Sequence, residues 1–213
     1  MGQYPNAETA FRTSRKFFQE IGAEAGAAYA QVNLGQTIRD MGRFQEAHDA
    51  LNSGLDFAIR QNDRHLQAIC HSDLALLGLA SEMYSLVDVH AQEAHRLFGE
   101  MGTLYSATVD LATLGRTALL RGDSRHAFYY TKSAFDLLNE CQGDGPDFPH
   151  RDYWTCAQVF QSLGFIEEAE AAQIAARRLL FEKANKISDP EMRLSFLENV
   201  SFNREISVGN DSE

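Results

Sequence analysis

The chain has 213 residues, 44% of them hydrophobic, three cysteines and a formal net charge of −11. The apolar share is enough for a folded core. The acidity argues against nucleic acid or an anionic membrane surface as a partner, because both need clustered lysine and arginine. No run of 18 apolar residues occurs, so no membrane-spanning helix is expected.

Read in chain order, the sequence predicts helices near 4–21, 24–41, 44–61, 64–82, 84–100, 104–121, 124–141, 150–163, 166–186 and 190–199. The four prolines, Pro5, Pro146, Pro149 and Pro190, all fall at predicted starts or breaks, as expected of a nearly all-helical chain in which an interior proline would cost about 3 kcal/mol. Apolar–polar alternation of strand type is missing. The segment Gln142–Pro149 is the one clear loop. Ser188-Asp189-Pro190-Glu191 reads as a helix start, with Glu three after a capping Ser and proline in the first turn.

A step of 40 residues runs through this series. Leu34, Leu74 and Leu114 keep it, as do Ala7, Ala47, Val87 and Ala127, and Gly2, Gly42 and Gly122 with Glu82 in the gap. After the loop the pattern returns at Cys156, Gly164 and Ala169. Each unit reads as two helices. The first carries Leu-Gly, best seen at Leu34-Gly35, and ends at a glycine able to take the left-handed backbone; the second carries a small residue that lets helices approach closely. One such unit cannot bury its apolar stripe alone, so neighbours must stack. The array is expected over 1–187, in units of about 1–22 (partial), 23–62, 63–102, 103–148 and 149–187, followed by a capping helix and extension over 188–206 and a disordered tail over 207–213.

These residues resemble the tetratricopeptide repeat. The second unit carries Leu34-Gly35, Ile38, Gly42, Phe44, Ala47, Leu51 and Gly54. The fourth has Leu114-Gly115, Ala118, Gly122, Ala127 and Ala134, and the fifth Ala157, Phe160, Gly164, Ile166, Ala169 and Ala176. The third departs most, with Glu82 at the turn and Val87 for alanine. The long step, the recurring Phe18-Gln19-Glu20-Ile21-Gly22 and Phe98-Gly99-Glu100-Met101-Gly102, and the closing stretch Ile187 to Ile206 are similar to the carboxyl-terminal repeats of large bacterial LuxR-type regulators and ATPase–nucleotidyl cyclase signalling proteins. The resemblance implies an all-α fold, a right-handed superhelical solenoid of antiparallel helix pairs. It also implies a non-catalytic module that binds protein or peptide within a bacterial signalling or transcription-regulatory protein. An effector-sensing repeat domain that cradles a small molecule is the alternative.

In that family the first helix of each pair lines a concave groove. The matching positions here are Tyr29, Asn33, Gln36 and Arg39, then Ile69, Asp73 and Leu76, then Val109, Thr113 and Arg116, and finally Arg151, Thr155 and Gln158. Trp154 reads as a core residue capping the last stack. The chain opens in mid-unit, so either an upstream repeat or a homodimer through the first helix, with its Phe11, Phe17, Phe18 and Ile21, is expected to cover that end.

No chemical constellation accompanies the repeats. HExxH, GxSxG and a phosphate-binding GxxxxGK[ST] are absent from the sequence. His90 and His95, five apart, diverge on a helix and read as solvated, whereas His71 reads as packed or hydrogen-bonded. The expectation is therefore no catalytic residue, no metal and no cofactor. Cys70, Cys141 and Cys156 lack CxxC spacing and read as free thiols of a reducing, cytoplasmic compartment, with Cys70 and Cys156 buried.

Overall fold

The structure, a computed structural model, describes residues 3–209. Gly2 of the repeat pattern and residues 210–213 of the expected tail lie outside it. Among the described residues the chain is all-helical and divides into two compact units, residues 3–104 and 105–209. No described helix is long and apolar enough to cross a membrane.

The first unit holds α1 (Tyr4–Glu20), α2 (Glu24–Asp40), α3 (Phe44–Arg60), α4 (Arg64–Ala80) and α5 (Tyr84–Glu100). Each packs on the next, and α2 also touches α4. The core is the expected stripe: Leu34 and Leu74 on the first helices, with Ala47 and Val87, both wholly buried, on the second ones. Leu51, Leu55, Leu66 and Cys70 fill the space between. Burying such a leucine contributes about 1.5–3 kcal/mol.

Every turn in this unit is built alike. A residue with positive φ sits after the helix, and the next N–H reaches back to a carbonyl five residues earlier: Ala23 to Phe18 at 2.8 Å, Arg43 to Ile38 at 3.1 Å, Asp63 to Ala58 at 2.9 Å, Met83 to Gly78 at 2.8 Å and Thr103 to Phe98 at 2.9 Å. This closure satisfies carbonyls that the helix leaves open. Gly22, Gly42 and Gly102 take the left-handed position, but so do Asn62 (φ 54°) and Glu82 (φ 59°). The missing glycine of the third repeat therefore changes the residue and not the turn. The cost falls on Glu82, since left-handed backbone disfavours a residue with a Cβ by about 1–2 kcal/mol.

In the second unit a 3₁₀ turn, Leu104–Ala107, leads into α6 (Thr108–Leu120). Then come α7 (Ser124–Glu140), α8 (Pro149–Leu163), α9 (Ile166–Asn185), α10 (Pro190–Glu198) and α11 (Ser201–Val208). The predicted helix at 104–121 is thus a 3₁₀ turn and a shorter α-helix. Leu111, Phe135, Tyr153, Trp154 and Phe160 form a core richer in aromatic rings than that of the first unit. Gly115 explains the Leu-Gly pair here: its backbone lies against Thr131 and the Ala127 carbonyl of α7, with no room for a Cβ.

The carboxyl-terminal stretch differs from its reading in three ways. Asp189, not Ser188, caps α10, its Oδ1 accepting from the Met192 N–H at 2.9 Å. The expected extension is a second helix, α11, which packs on α8, α9 and α10. It runs through Ser207 and Val208, the first two residues of the expected tail.

Candidate functional site

The expected groove positions of the first unit fall on α2 and α4, and three of them bind one another. Asp73 is buried at 5% exposure. Its Oδ1 accepts from Arg39 Nη1 at 2.8 Å and its Oδ2 from Gln36 Nε2 at 2.6 Å. Arg39 also pairs with Asp40 at 2.9 Å. Burial alone would lower the Arg39 pKa, but the carboxylates of Asp40 and Asp73 outweigh it and raise it. Gln36, Arg39 and Asp73 therefore form an internal polar bridge between α2 and α4, so these three expected groove positions spend polar groups on one another. A signal for this existed: Asp73 stands one repeat after Asn33, with an arginine of the preceding first helix in reach. Its partner could not be named without the lateral contact of α2 with α4. Tyr29 is exposed, with a long bond from its hydroxyl to Asp63 Oδ2 at 3.4 Å. Asn33 and Leu76 are half-buried. Like Tyr29 and Ile69, they are groove positions that the bridge leaves to a ligand.

In the second unit Thr113 is buried at 3% exposure, and its hydroxyl donates to the Val109 carbonyl at 2.7 Å. This threonine spends its hydroxyl proton within its own helix. Thr155 does the same with the Arg151 carbonyl at 3.0 Å. Trp154 is buried, as expected of a capping core residue. Its indole N–H donates to Glu205 Oε2 at 3.2 Å, and Gln158 Nε2 approaches the same oxygen at 3.5 Å. Helix α11 thus occupies the polar edge of α8. Arg116, Trp154, Gln158, Gln161, Ser162 and Gln173 line a cleft of about 220 Å³ beside it.

A buried histidine holds α11 in place. Asn203 Nδ2 donates to the Phe196 carbonyl at 2.8 Å, which turns its Oδ1 toward His150 Nε2 at 3.1 Å. Nε2 therefore carries the proton, and the buried Nδ1 has no partner. Burial, with the charges of Lys183 and Arg151, depresses the His150 pKa to about 4, against the opposing hydrogen bond to Asn203. In the first unit His71 and His90 meet Nδ1 to Nδ1 at 2.9 Å across α4 and α5. Burial and the positive charge of neighbouring histidines push His90 down to about 4. His90 and His95 are half-buried, which corrects their reading as solvated; His71 is hydrogen-bonded as read. The pairing was invisible because α4 and α5 place side by side two residues that are 19 apart.

Among the described residues, no group of three or more His, Cys, Asp or Glu could hold a metal ion. Cys70 and Cys156 are buried free thiols, and burial pushes the Cys70 pKa up to about 12, the reverse of what a reactive thiol needs. No model of a protein family matches the chain, and no curated protein matches it.

Proposed function

We propose that this protein is a non-catalytic helical-repeat scaffold, a right-handed solenoid of tetratricopeptide type that binds a protein or peptide ligand and serves bacterial signalling or transcription regulation in the cytoplasm. The supporting observation is recurrence at one place in the fold. Leu34, Leu74 and Leu114 are buried on the first helix of a pair, and Ala47, Val87 and Ala127 are wholly buried on the second. Stacking of this kind presents the first helices as an extended binding surface. Among the groove positions of the first unit, Tyr29, Asn33, Ile69 and Leu76 lie outside the buried bridge, and in the second unit Val109 and Arg116 lie outside the helix-internal bonds and the contact with α11. The net charge of −11 suits a neutral or basic peptide and neither nucleic acid nor membrane.

Replacing Asn33→Ala together with Arg116→Glu is expected to abolish partner capture from a native lysate while helicity by circular dichroism is unchanged. Equal recovery of partners by the double variant and the wild type would refute the groove as the site.

The same reading includes a homodimer through α1. This helix has no fully buried residue, and Phe17 and Ile21 on it are 55% and 58% exposed. Apolar surface of this kind drives association. Light scattering over a concentration series is expected to show a dimer that Phe17→Glu dissociates; a monomer at every concentration would contradict it.

A further inference from the structure

We infer that the edge of α8 is a docking site for a partner's amphipathic helix of the pattern Phe-Asn-x-Glu-Ile, a site that α11 fills in cis and that the partner fills by displacing it. The inference rests on the scaffold reading and names the chemistry of the ligand at the carboxyl-terminal end of its groove.

Helix α11 is held by one stripe of side chains. Phe202 lies against the His150 ring, with 5.7 Å between ring centres. Asn203 Oδ1 meets His150 Nε2 at 3.1 Å. Glu205 Oε2 accepts from the Trp154 indole N–H at 3.2 Å and from Gln158 Nε2 at 3.5 Å. Ile206 is wholly buried, in the same core as Trp154 and Phe196. Residues at i, i+1, i+3 and i+4 lie along one side of a helix, the side by which a helix seated in a groove is read. The stripe is thus a recognition pattern: an aromatic ring, an amide, a carboxylate and a branched aliphatic chain, in that order. Within Ser201–Val208 the only charges are Arg204 and Glu205, so a helix of this pattern is neutral overall and suits a chain of net charge −11.

The seat holds α11 as an exchangeable element. The helix has eight residues, of which Asn203 and Ile206 are buried. Isolated helices shorter than about 12–15 residues are marginal, so α11 depends on its seat to be helical. Val200, extended at φ −94° and ψ 115°, joins it to α10 and leaves a hinge between them. Short terminal elements with few buried side chains open at the low end of a protein's stability range.

Part of the site stays open beside α11. The cleft of about 220 Å³ there is lined by Arg116 of α6, Gln161 of α8 and Gln173 of α9 together with Trp154 and Gln158, and no acidic side chain lines it. Arg177 Nη2 donates to the Ser207 carbonyl at 3.2 Å, and Gly209, at φ 65°, ends the helix against that guanidinium. Gln173 stands one turn before Arg177 on α9, so the cleft begins where α11 stops. A tethered helix competes at high effective concentration, and a free one must offer contacts that the tethered one lacks. One further turn, with a carboxylate for Arg116, offers them.

The test uses the full chain and a fluorescein-labelled peptide with the sequence of Ser201–Val208 continued by Ala-Glu-Ala-Glu. Anisotropy reads binding, and the amide signals of an isotope-labelled chain read the state of α11. Saturable binding is expected, with the signals of Asn203 to Ser207 moving to unstructured positions. Glutamine in the peptide at the Glu205 place should weaken binding about tenfold, as loss of a bond to a charged group does. In the chain, Glu205→Lys changes an exposed side chain, loosens α11 and should tighten the peptide about tenfold by the same arithmetic. In that background Arg116→Gln should weaken the continued peptide and leave one ending at the Val208 place unchanged. Circular dichroism checks the fold of each variant, and Glu205→Gln gives a second reading if Glu205→Lys unfolds. Absence of saturable binding, binding without release of α11, or equal affinity in wild type and folded Glu205 variants would overturn the inference. So would a dimer that Glu205→Lys dissociates, which would make the occupant the α11 of a second copy. The groove reading fails on a different result, equal lysate capture by the Asn33→Ala, Arg116→Glu variant.

Discussion

In the first unit the buried polar groups under the first helices meet as charges: Asp73 holds Arg39 and Gln36 between α2 and α4. The second unit has a buried carboxylate too, Asp152 on α8 accepting from Thr108 of α6 and pairing with Arg151, and it adds partners on one further element, His150 with Asn203 and Trp154 with Glu205, which close on α11. The same helix-pair plan is thus finished in two ways. Repetition alone leaves polar positions facing the next first helix, and these become a cross-link. At the carboxyl end a short helical hairpin takes the place of a next repeat and accepts the same edge. The first unit should therefore depend on its charged bridge, and the second also on a docked helix and tight aromatic packing.

The largest test of this contrast is Asp73→Ala. It takes one of two carboxylates from Arg39, whose side chain is only 10% exposed; with Asp40 still paired the expected loss is about 3 kcal/mol, the low end for breaking a buried pair. Asn203→Ala in the second unit removes one neutral partner from His150 and is expected to cost about 1–3 kcal/mol. Chemical denaturation of both variants checks the order. A smaller loss for Asp73→Ala than for Asn203→Ala would break the comparison.

Gly115 and Gly35 occupy equivalent places in the repeat but face different neighbours. A Cβ at Gly35 would press on the rotatable end of Leu51, at 2.8 Å from Cδ2, whereas at Gly115 it would also meet backbone, the Thr131 nitrogen at 3.1 Å. Gly115→Ala is expected to lower stability by about 1–3 kcal/mol, and Gly35→Ala by less. Thermal melts of the pair decide it.

Acid should weaken both units. His90 and His150 have pKa values of about 4 in the fold against 6.5 in a free chain, so between those values the unfolded chain binds protons that the fold refuses. Stability is therefore complete above pH 6.5 and falls as the pH drops toward 4. Denaturation midpoints at neutral pH and near pH 5 should show the loss, and His90→Gln and His150→Gln should each reduce it. An unchanged loss in both variants would contradict these assignments.

The smallest effect is a gain. Glu82→Gly relieves the left-handed backbone at φ 59° and should raise stability by about 1 kcal/mol. Asn62→Gly should gain less, because asparagine tolerates that region.

The helices were legible in the sequence because their signals are local: apolar stripes, turn glycines, and prolines at breaks placed most boundaries within one or two residues. Even Glu82 was found by position, through the period and not through its chemistry. What the sequence hid lies between helices. The Arg39–Asp73 bridge, the His71–His90 contact and the docking of Glu205 on Trp154 join residues 19 to 51 apart, and their pairing depends on lateral contacts that no local pattern encodes. Thr113 was read as a groove residue because its place in the period is a surface one in the related pattern; its hydroxyl instead turns back to Val109.

The central claim is that a peptide binds along the first helices, at the side chains those internal bridges leave over. The most direct measurement is a titration of the isotope-labelled full chain with a peptide selected against it from a random library, read by backbone amide shifts. The account predicts shifts gathered at Tyr29, Asn33 and Leu76 and at Arg116, lost in the Asn33→Ala, Arg116→Glu variant. Shifts confined to the 142–149 loop or to the second helices α3, α5 and α7, unaffected by that variant, would contradict it.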